Sequence, residues 1–243
     1  MQGRKRMLEH TIAAIPPRRV IPIAISFVLL FALGATTLRA QTPPAPRPVV
    51  VLDAAHGGDD AGAMIGNQQE KNLTLALSVK LRSLLMARGF SVVTTRESDT
   101  TVDAGQRAET ANRANALACL SLHATQAGSG VHLFASSLTP AEGTRLTAWK
   151  TTQAAWVTRS LALAGVVNSA LGQANVTVTL GRTNLPTIDS MSCPALAIEV
   201  APQRDADAPA AGLEDSTTQA HIAEALAAAM VEWRAEAKGG REP

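Results

Sequence analysis

The sequence predicts a single α/β domain: a mostly parallel, twisted sheet flanked by helices on both faces. Three observations carry that expectation. From Val49 onward, short apolar runs of strand length alternate with longer segments of helical periodicity. The composition, 46% hydrophobic and 17% charged over 243 residues, is that of a globular chain. Three of the apolar runs also end in a polar side chain foreign to them, namely His56, His123 and Glu199. In open α/β sheets the carboxyl ends of the strands deliver such groups to one crevice.

The elements follow in order. Residues 1–40 read as a secretory signal or an N-terminal membrane anchor: Arg18 and Arg19 precede the uncharged 19-residue run Val20 to Leu38, and Ala40 is a candidate last residue removed. Residues 41–48, "QTPPAPRP", are a proline-rich spacer. The folded domain then spans 49–238. "VVVLDA" (Val49 to Ala54) is a buried strand, and Leu73, Leu77, Leu81, Leu84 and Leu85 mark a helix stopped by Gly89. Phe90 to Arg96 is the second strand. Asp103 is the expected N-cap of a helix running to Ala116. Leu117 to His123 and Gly130 to Ser136 are the third and fourth strands. Residues 138–160 are polar, with Trp149 and Trp156 as their aromatics, and read as an insertion or a lid. A helix covers Trp156 to Leu171, a further strand Pro194 to Ala201, and a last helix Thr217 to Ala237.

Charge and composition exclude some functions. Residues 1–40 carry six basic side chains against one acidic, leaving sixteen basic and nineteen acidic in the remainder, a net of −3. The folded part therefore lacks the basic footprint of a nucleic-acid binder. The chain has no tyrosine, four Phe and three Trp, and that scarcity argues, though less strongly, against an aromatic-rich carbohydrate or nucleic-acid platform. Its two cysteines, Cys119 and Cys193, sit in apolar runs, and either a bridge or two buried thiols fits that setting.

The chemistry concentrates in four residues. Glu70 precedes the first long helix, where the loop after strand one brings it to the same sheet edge as His56 and His123. Two imidazoles and a carboxylate form a common catalytic zinc shell with a fourth position for water, and Glu199 then remains as a general base. Singly, each has a plainer reading: His56 and His123 as loop histidines, and Glu70 as a first-turn acid on a helix dipole. Glu199 resists such a reading, because a carboxylate inside "PALAIEVA" is costly to bury without a partner or a metal. His132 and His221 read as ordinary surface or core residues.

The order of the motifs resembles the zinc-dependent N-acetylmuramoyl-L-alanine amidases of cell-wall remodelling. A strand ends in His56-Gly57-Gly58 with acids after it, and Glu70-Lys71-Asn72 opens a leucine-rich helix. "ARGFSVVTTRESDT", "QRAETANRANA", "SLHA" and "CPALAIEV" follow in the family's order, over about residues 48–235. The resemblance implies zinc ligands His56, Glu70 and His123, a catalytic carboxylate Glu199, and peptidoglycan as substrate. It also implies export to the periplasm or cell envelope, with an activator protein as a further partner. Arg107, Asn112 and Asn115 are then expected to order the helix and loops rather than touch substrate.

The chain also departs from the family pattern. Ala54-Ala55 stand where Pro-Gly is usual, with Gly57 and Gly58 letting the backbone turn without crowding an ion. Ala124-Thr125 follow the second histidine in place of the usual asparagine, and "VAPQRDAD" replaces a Gly-Phe-Leu-Ser-Asn-like turn after Glu199. These changes predict altered substrate preference or lower activity with the metal retained. Some relatives carry an autoinhibitory helix in a region comparable to 138–160. Two other readings stand beside the amidase: a catalytically weak peptidoglycan-binding or scaffold protein, and a zinc peptidase, although no His-Glu-x-x-His is present.

Overall fold

Val50, Val51 and Leu52 have no exposed surface, which places strand β1 (Val49–Ala54) inside a sheet rather than at its edge. In the computed structural model, residues 46–141, 148–205 and 208–239 are described. The expected signal or anchor at 1–40 and the first part of the spacer lie outside the described residues. No described helix is long and apolar enough to cross a membrane.

After β1 come the two-residue strands β2 (Met64–Ile65) and β3 (Gln68–Gln69), which pair as a small hairpin, and helix α1 (Glu70–Ala87). Next are β4 (Ser91–Thr94), α2 (Ala104–Arg113), β5 (Ala118–Ala124) and β6 (Val131–Ser136). A 3₁₀ segment (Trp149–Ala155) leads into α3 (Val157–Gln173), β7 (Val178–Thr183), α4 (Pro186–Asp189) and β8 (Ala195–Val200). The hairpin β9 (Gln203–Asp205) and β10 (Ala208–Ala211) precedes the terminal helix α5 (Ser216–Gly239). The main sheet has six strands in the order β4-β1-β5-β8-β6-β7. Every neighbouring pair is parallel except β6–β8, which is antiparallel.

The period-two alternation of the strands gives the sheet two unlike faces. One face presents Leu52, Leu120, Leu122, Leu133, Leu196 and Ile198 to α1, α3 and α5, forming the main core. Each fully buried leucine there contributes on the order of 1.5–3 kcal/mol. The other face presents Val51, Cys119, Ala195 and Ala197, covered by Ala108 and Ala111 of α2 and by Ile188 and Met191. Small side chains on this second face leave room at the strand ends, and the polar residues stand there.

Most sequence-read elements are present with shifted ends. The helix expected to reach Ala116 stops at Arg113, and Asn115 beyond it takes a left-handed conformation, φ 46°. Its N-cap is Asp103 as expected, completed by Gln106 into a capping box. Strand β7 carries no sequence signal because it is an edge strand with no fully buried residue, so it lacks an apolar run. Cys119 and Cys193 form a disulfide with Cα atoms 6.2 Å apart. Sequence left this open, because the bridge depends on the loop before β8 meeting β5.

Within 138–160, residues 142–147 lie outside the described residues. Gln153, in the 3₁₀ segment, has no exposed surface, and its amide donates to the carbonyls of Met191 and Cys193 at 2.9 and 3.0 Å. Its own carbonyl accepts from Ser160 at 2.7 Å. This part of the insertion is thus tied to the loop that follows α4.

Candidate metal centre

The turn after β1 is held by two buried guanidiniums. Arg107 donates to Asp53 Oδ1 at 2.6 Å, to the Ala54 carbonyl at 2.7 Å and to the His56 carbonyl at 2.7 Å. Arg96 donates to the Ala54 and Ala55 carbonyls at 2.8 and 3.0 Å. These bonds supply the rigidity that a Pro-Gly pair would otherwise bring to Ala54-Ala55. They also hold His56 at φ 62°, a conformation that costs a residue with a Cβ about 1–3 kcal/mol and is found where function requires it. Asn112 accepts from Ser192 N at 2.6 Å and donates to the Ser190 carbonyl at 3.0 Å, so it orders the loop before β8.

The glycines act differently from the sequence expectation. A Cβ on Gly57 would stand 2.4 Å from the Thr100 carbonyl, and one on Gly58 would stand 2.1 Å from Thr101 Oγ1. The pair therefore relieves crowding against that loop. Gly62 is the glycine that faces the ligands: a Cβ there would lie 2.7 Å from both Glu70 Oε2 and His56 Cδ2.

His56, Glu70 and His123 converge, each offering one donor atom within 4.8 Å of the others. Glu70 is the first residue of α1, but its carboxylate turns away from its own helix end. Oε2 accepts from Ala63 N at 2.9 Å, and Oε1 accepts from Ala124 N at 3.1 Å. His56 Nε2 lies 3.1 Å from Oε2, and His123 Nδ1 lies 3.2 Å from Oε1. Burial pushes the Glu70 carboxyl up, but the hydrogen bonds from His123, His56, Ala63 and Ala124 outweigh it and hold it well below the usual carboxylate range. His56 is raised, chiefly by its bond to Glu70 and against burial, with Asp60 adding to the rise.

The outer hydrogen bonds choose the tautomers. His56 Nδ1 meets Asp60 Oδ2 at 2.8 Å, so Nδ1 keeps its proton, and Nε2, bonded to Glu70 here, is the nitrogen that would be freed for a metal. Ser121 donates its one proton to Asp53 Oδ2 at 2.7 Å, so His123 Nε2, 3.3 Å from that hydroxyl, must be the donor to Ser121 Oγ. That leaves Nδ1 of His123, bonded to Glu70 Oε1, as the nitrogen that would face a metal. Those two nitrogens, once deprotonated, and an ionised carboxylate would form a borderline-soft donor set that suits zinc. With bonds of about 2.0–2.1 Å, tetrahedral ligands stand about 3.3 Å apart. The nitrogens of His56 and His123 lie 3.1 and 3.2 Å from Glu70 Oε2 and Oε1 respectively, close to that spacing, although each meets a different carboxylate oxygen.

Glu199 belongs to the same edge. Register pairs it with His123 on β5 and with His132 on β6, so the three side chains share one face of the sheet. Its Oε2 lies 3.1 Å from His132 Nδ1. In the sequence His132 reads as an ordinary surface or core residue. The signal was present in the alternation of β6: Val131, Leu133 and Ala135 are buried in the main core, so His132 faces the other way. His221 lies elsewhere, on α5, bonded to the Ala174 carbonyl. A cleft of about 430 Å³ opens beside the cluster, bounded by His56, His123, Val102, Leu185 and Ile188, with Ala197 on its wall. Glu199 stands outside that lining, two residues beyond Ala197 on the same strand face.

Comparison with known proteins agrees with this architecture. A family model described as N-acetylmuramoyl-L-alanine amidase matches residues 50–232. The amidase AmiC of Neisseria meningitidis is 33% identical over 110 residues, which cover 40% of this chain and 26% of that protein. The matched stretch is thus about a quarter of that relative's length. Among solved structures, the catalytic domain of CwlV, an amidase from Bacillus (Paenibacillus) polymyxa var. colistinus, superposes with a TM-score of 0.59 at 24% identity, covering 76% of this chain and 97% of that one. The CwlD amidase of Clostridioides difficile, solved in complex with the GerS lipoprotein, gives a TM-score of 0.59 at 20% identity, covering 78% and 99%. At these identities the structural likeness speaks for the fold.

Proposed function

The chain belongs to the N-acetylmuramoyl-L-alanine amidase family, and we propose that it is a zinc-dependent amidase acting on peptidoglycan. The bond it hydrolyses joins the lactyl group of N-acetylmuramic acid to L-alanine of the stem peptide. The observation that carries this reading is the convergence of His56 Nε2, Glu70 and His123 Nδ1, each oriented by a partner outside the cluster. His56, Glu70 and His123 would hold the zinc ion, which would supply an acidified water and polarise the scissile carbonyl. Glu199 takes a proton from that water as oxygen adds to the carbonyl carbon. It then delivers the proton to the amine nitrogen as the carbon–nitrogen bond breaks. The products are the muramoyl carboxylate and the free amine of the stem peptide. Asp53, Arg107 and Ser121 hold the ligands in register through their hydrogen bonds behind the turn after β1.

The same reading extends to the cell. The basic, then apolar N-terminus supports export to the periplasm or cell envelope by a cleaved signal or an anchor. An activator protein is a proposed partner, in line with the lipoprotein complex of the C. difficile relative. Residues 138–160 are proposed to shape access to the cleft, because Gln153 ties Trp149–Ala155 to the loop after α4. Zinc content and release of stem peptides from purified sacculi test the proposal. Wild type should bind zinc and release peptide, His56→Ala and His123→Ala should lose zinc, and Glu199→Ala should keep zinc but lose release. A zinc-loaded wild type that releases nothing, with an activator supplied, would instead make the chain a peptidoglycan-binding or scaffold protein.

A further inference from the structure

Glu199 has a histidine on each side across the sheet, and the two are engaged differently. His123 is turned to Glu70 and Ser121. His132 is turned to Glu199, with Nδ1 3.1 Å from Oε2. The His132 side chain is only 15% exposed, and it is confined on two sides. One edge of its ring lies over Gly128, where a Cβ would come within 2.4 Å of Cε1 and 2.6 Å of Nε2. The Phe134 ring meets it edge-on, with centroids 6.3 Å apart. Gly128 itself is at φ +79°, a conformation suited to glycine, so the loop approaches the ring only because that position has no side chain.

A carboxylate that is 33% exposed at the end of a strand would, without a partner, sample several rotamers and lose orientation. From this geometry we propose that His132 is a positioning residue for Glu199: its Nδ1–H binds Oε2, sets the plane of the carboxylate and leaves Oε1 as the oxygen that exchanges protons. The inference rests on the reading of Glu199 as the catalytic carboxylate and deepens it. With Oε2 already accepting a hydrogen bond, the proton taken from water lands on Oε1. The same oxygen returns it to the leaving amine, so the carboxyl group need not rotate between the two steps. His132 acts only through Glu199 and touches neither the ligand cluster nor the cleft.

Two substitutions separate positioning from packing. His132→Leu removes the donor, whereas His132→Asn keeps an N–H on the same branch of the side chain. On muropeptide substrate, kcat of His132→Leu should fall at least about tenfold, the scale of lost proton-transfer geometry, while KM and bound zinc stay within about twofold. His132→Asn should recover to within about threefold of wild type. In a Glu199→Ala background, His132→Leu should cost nothing further. A readout independent of activity is NMR of isotope-labelled histidine. His132 should carry its proton on Nδ1 in wild type and shift toward the Nε2–H tautomer in Glu199→Ala.

An active wild type whose His132→Leu is unimpaired, or whose Asn and Leu variants fail equally, overturns the assignment alone. So does a wild-type His132 found as the Nε2–H tautomer. Zinc-loaded wild type with no amidase activity, even with an activator supplied, overturns the amidase reading and this inference together.

Discussion

Asp53 and Arg107 form a buried ion pair, 2.6 Å apart, directly behind the turn that carries His56. Their side chains are 3% and 7% exposed, and Arg107 also holds the His56 carbonyl. Removing one member of such a pair leaves a buried charge without a partner. Arg107→Met should therefore cost about 3–5 kcal/mol of stability and weaken zinc binding as well. Chemical denaturation alongside zinc titration checks this. A variant of unchanged stability would mean that the pair is not structural.

Asp60 is 64% exposed in its side chain, yet it fixes the tautomer of His56. Asp60→Ala should leave folding nearly unchanged while reducing zinc affinity about 10–100-fold, the usual cost of losing an outer-shell partner of a ligating histidine. Competition with a chelator of known affinity measures it.

Zinc binding should weaken as pH falls. His56 is raised by Glu70 and, secondarily, by Asp60, and its Nε2 must give up a proton to bind metal. Competition from protons therefore begins above the ordinary histidine range, with up to about tenfold lower affinity per pH unit below it. Without metal the sign for stability is opposite. A raised histidine stabilises the fold below its unfolded value, and that contribution is lost as pH rises through the folded value. Zinc affinity that stays flat from about pH 8 to about pH 5 would contradict His56 as a ligand.

Gly62 and Gly66 make a controlled comparison. Both have positive φ, 65° and 57°, but a Cβ on Gly62 meets Glu70 and His56, whereas one on Gly66 meets nothing within 4 Å. Both alanine variants should lose about 1 kcal/mol or more to backbone strain. Only Gly62→Ala should also lose zinc, seen as a metal content well below that of Gly66→Ala. Equal zinc contents would rule out crowding at Gly62 as a constraint on the site.

The Cys119–Cys193 bridge closes a separation of 74 residues. Chain entropy alone gives such a cross-link about 4 kcal/mol. The Cys119→Ala, Cys193→Ala double variant should unfold at correspondingly lower denaturant. An unchanged midpoint would show that the loop before β8 is held by Asn112 and Gln153 without help.

Local pattern made much of the fold legible. The leucines of α1 and the apolar runs of β1, β5 and β8 announce themselves because their burial follows the period of their own backbone. His56, His123 and Glu199 were legible as polar interruptions at the ends of such runs, and Glu70 by its place just before the first long helix. Strand β7 was not, since an edge strand satisfies its backbone without burying an apolar run. His132 was passed over because a histidine within a strand looks ordinary until its neighbour across the sheet is known.

By itself the sequence determined the α/β class, the order of most main elements and the candidate metal ligands, because each depends on chain-local periodicity and chemistry. Tertiary structure alone decided the rest. The antiparallel register of β6 and β8 brings His132 to Glu199, and the loop before β8 brings Cys193 to Cys119. Contacts of Asp53 with Arg107 and Ser121 select which nitrogen of His123 faces Glu70. Those outcomes join residues tens of positions apart, and the strand register that joins them is set by packing of the whole sheet.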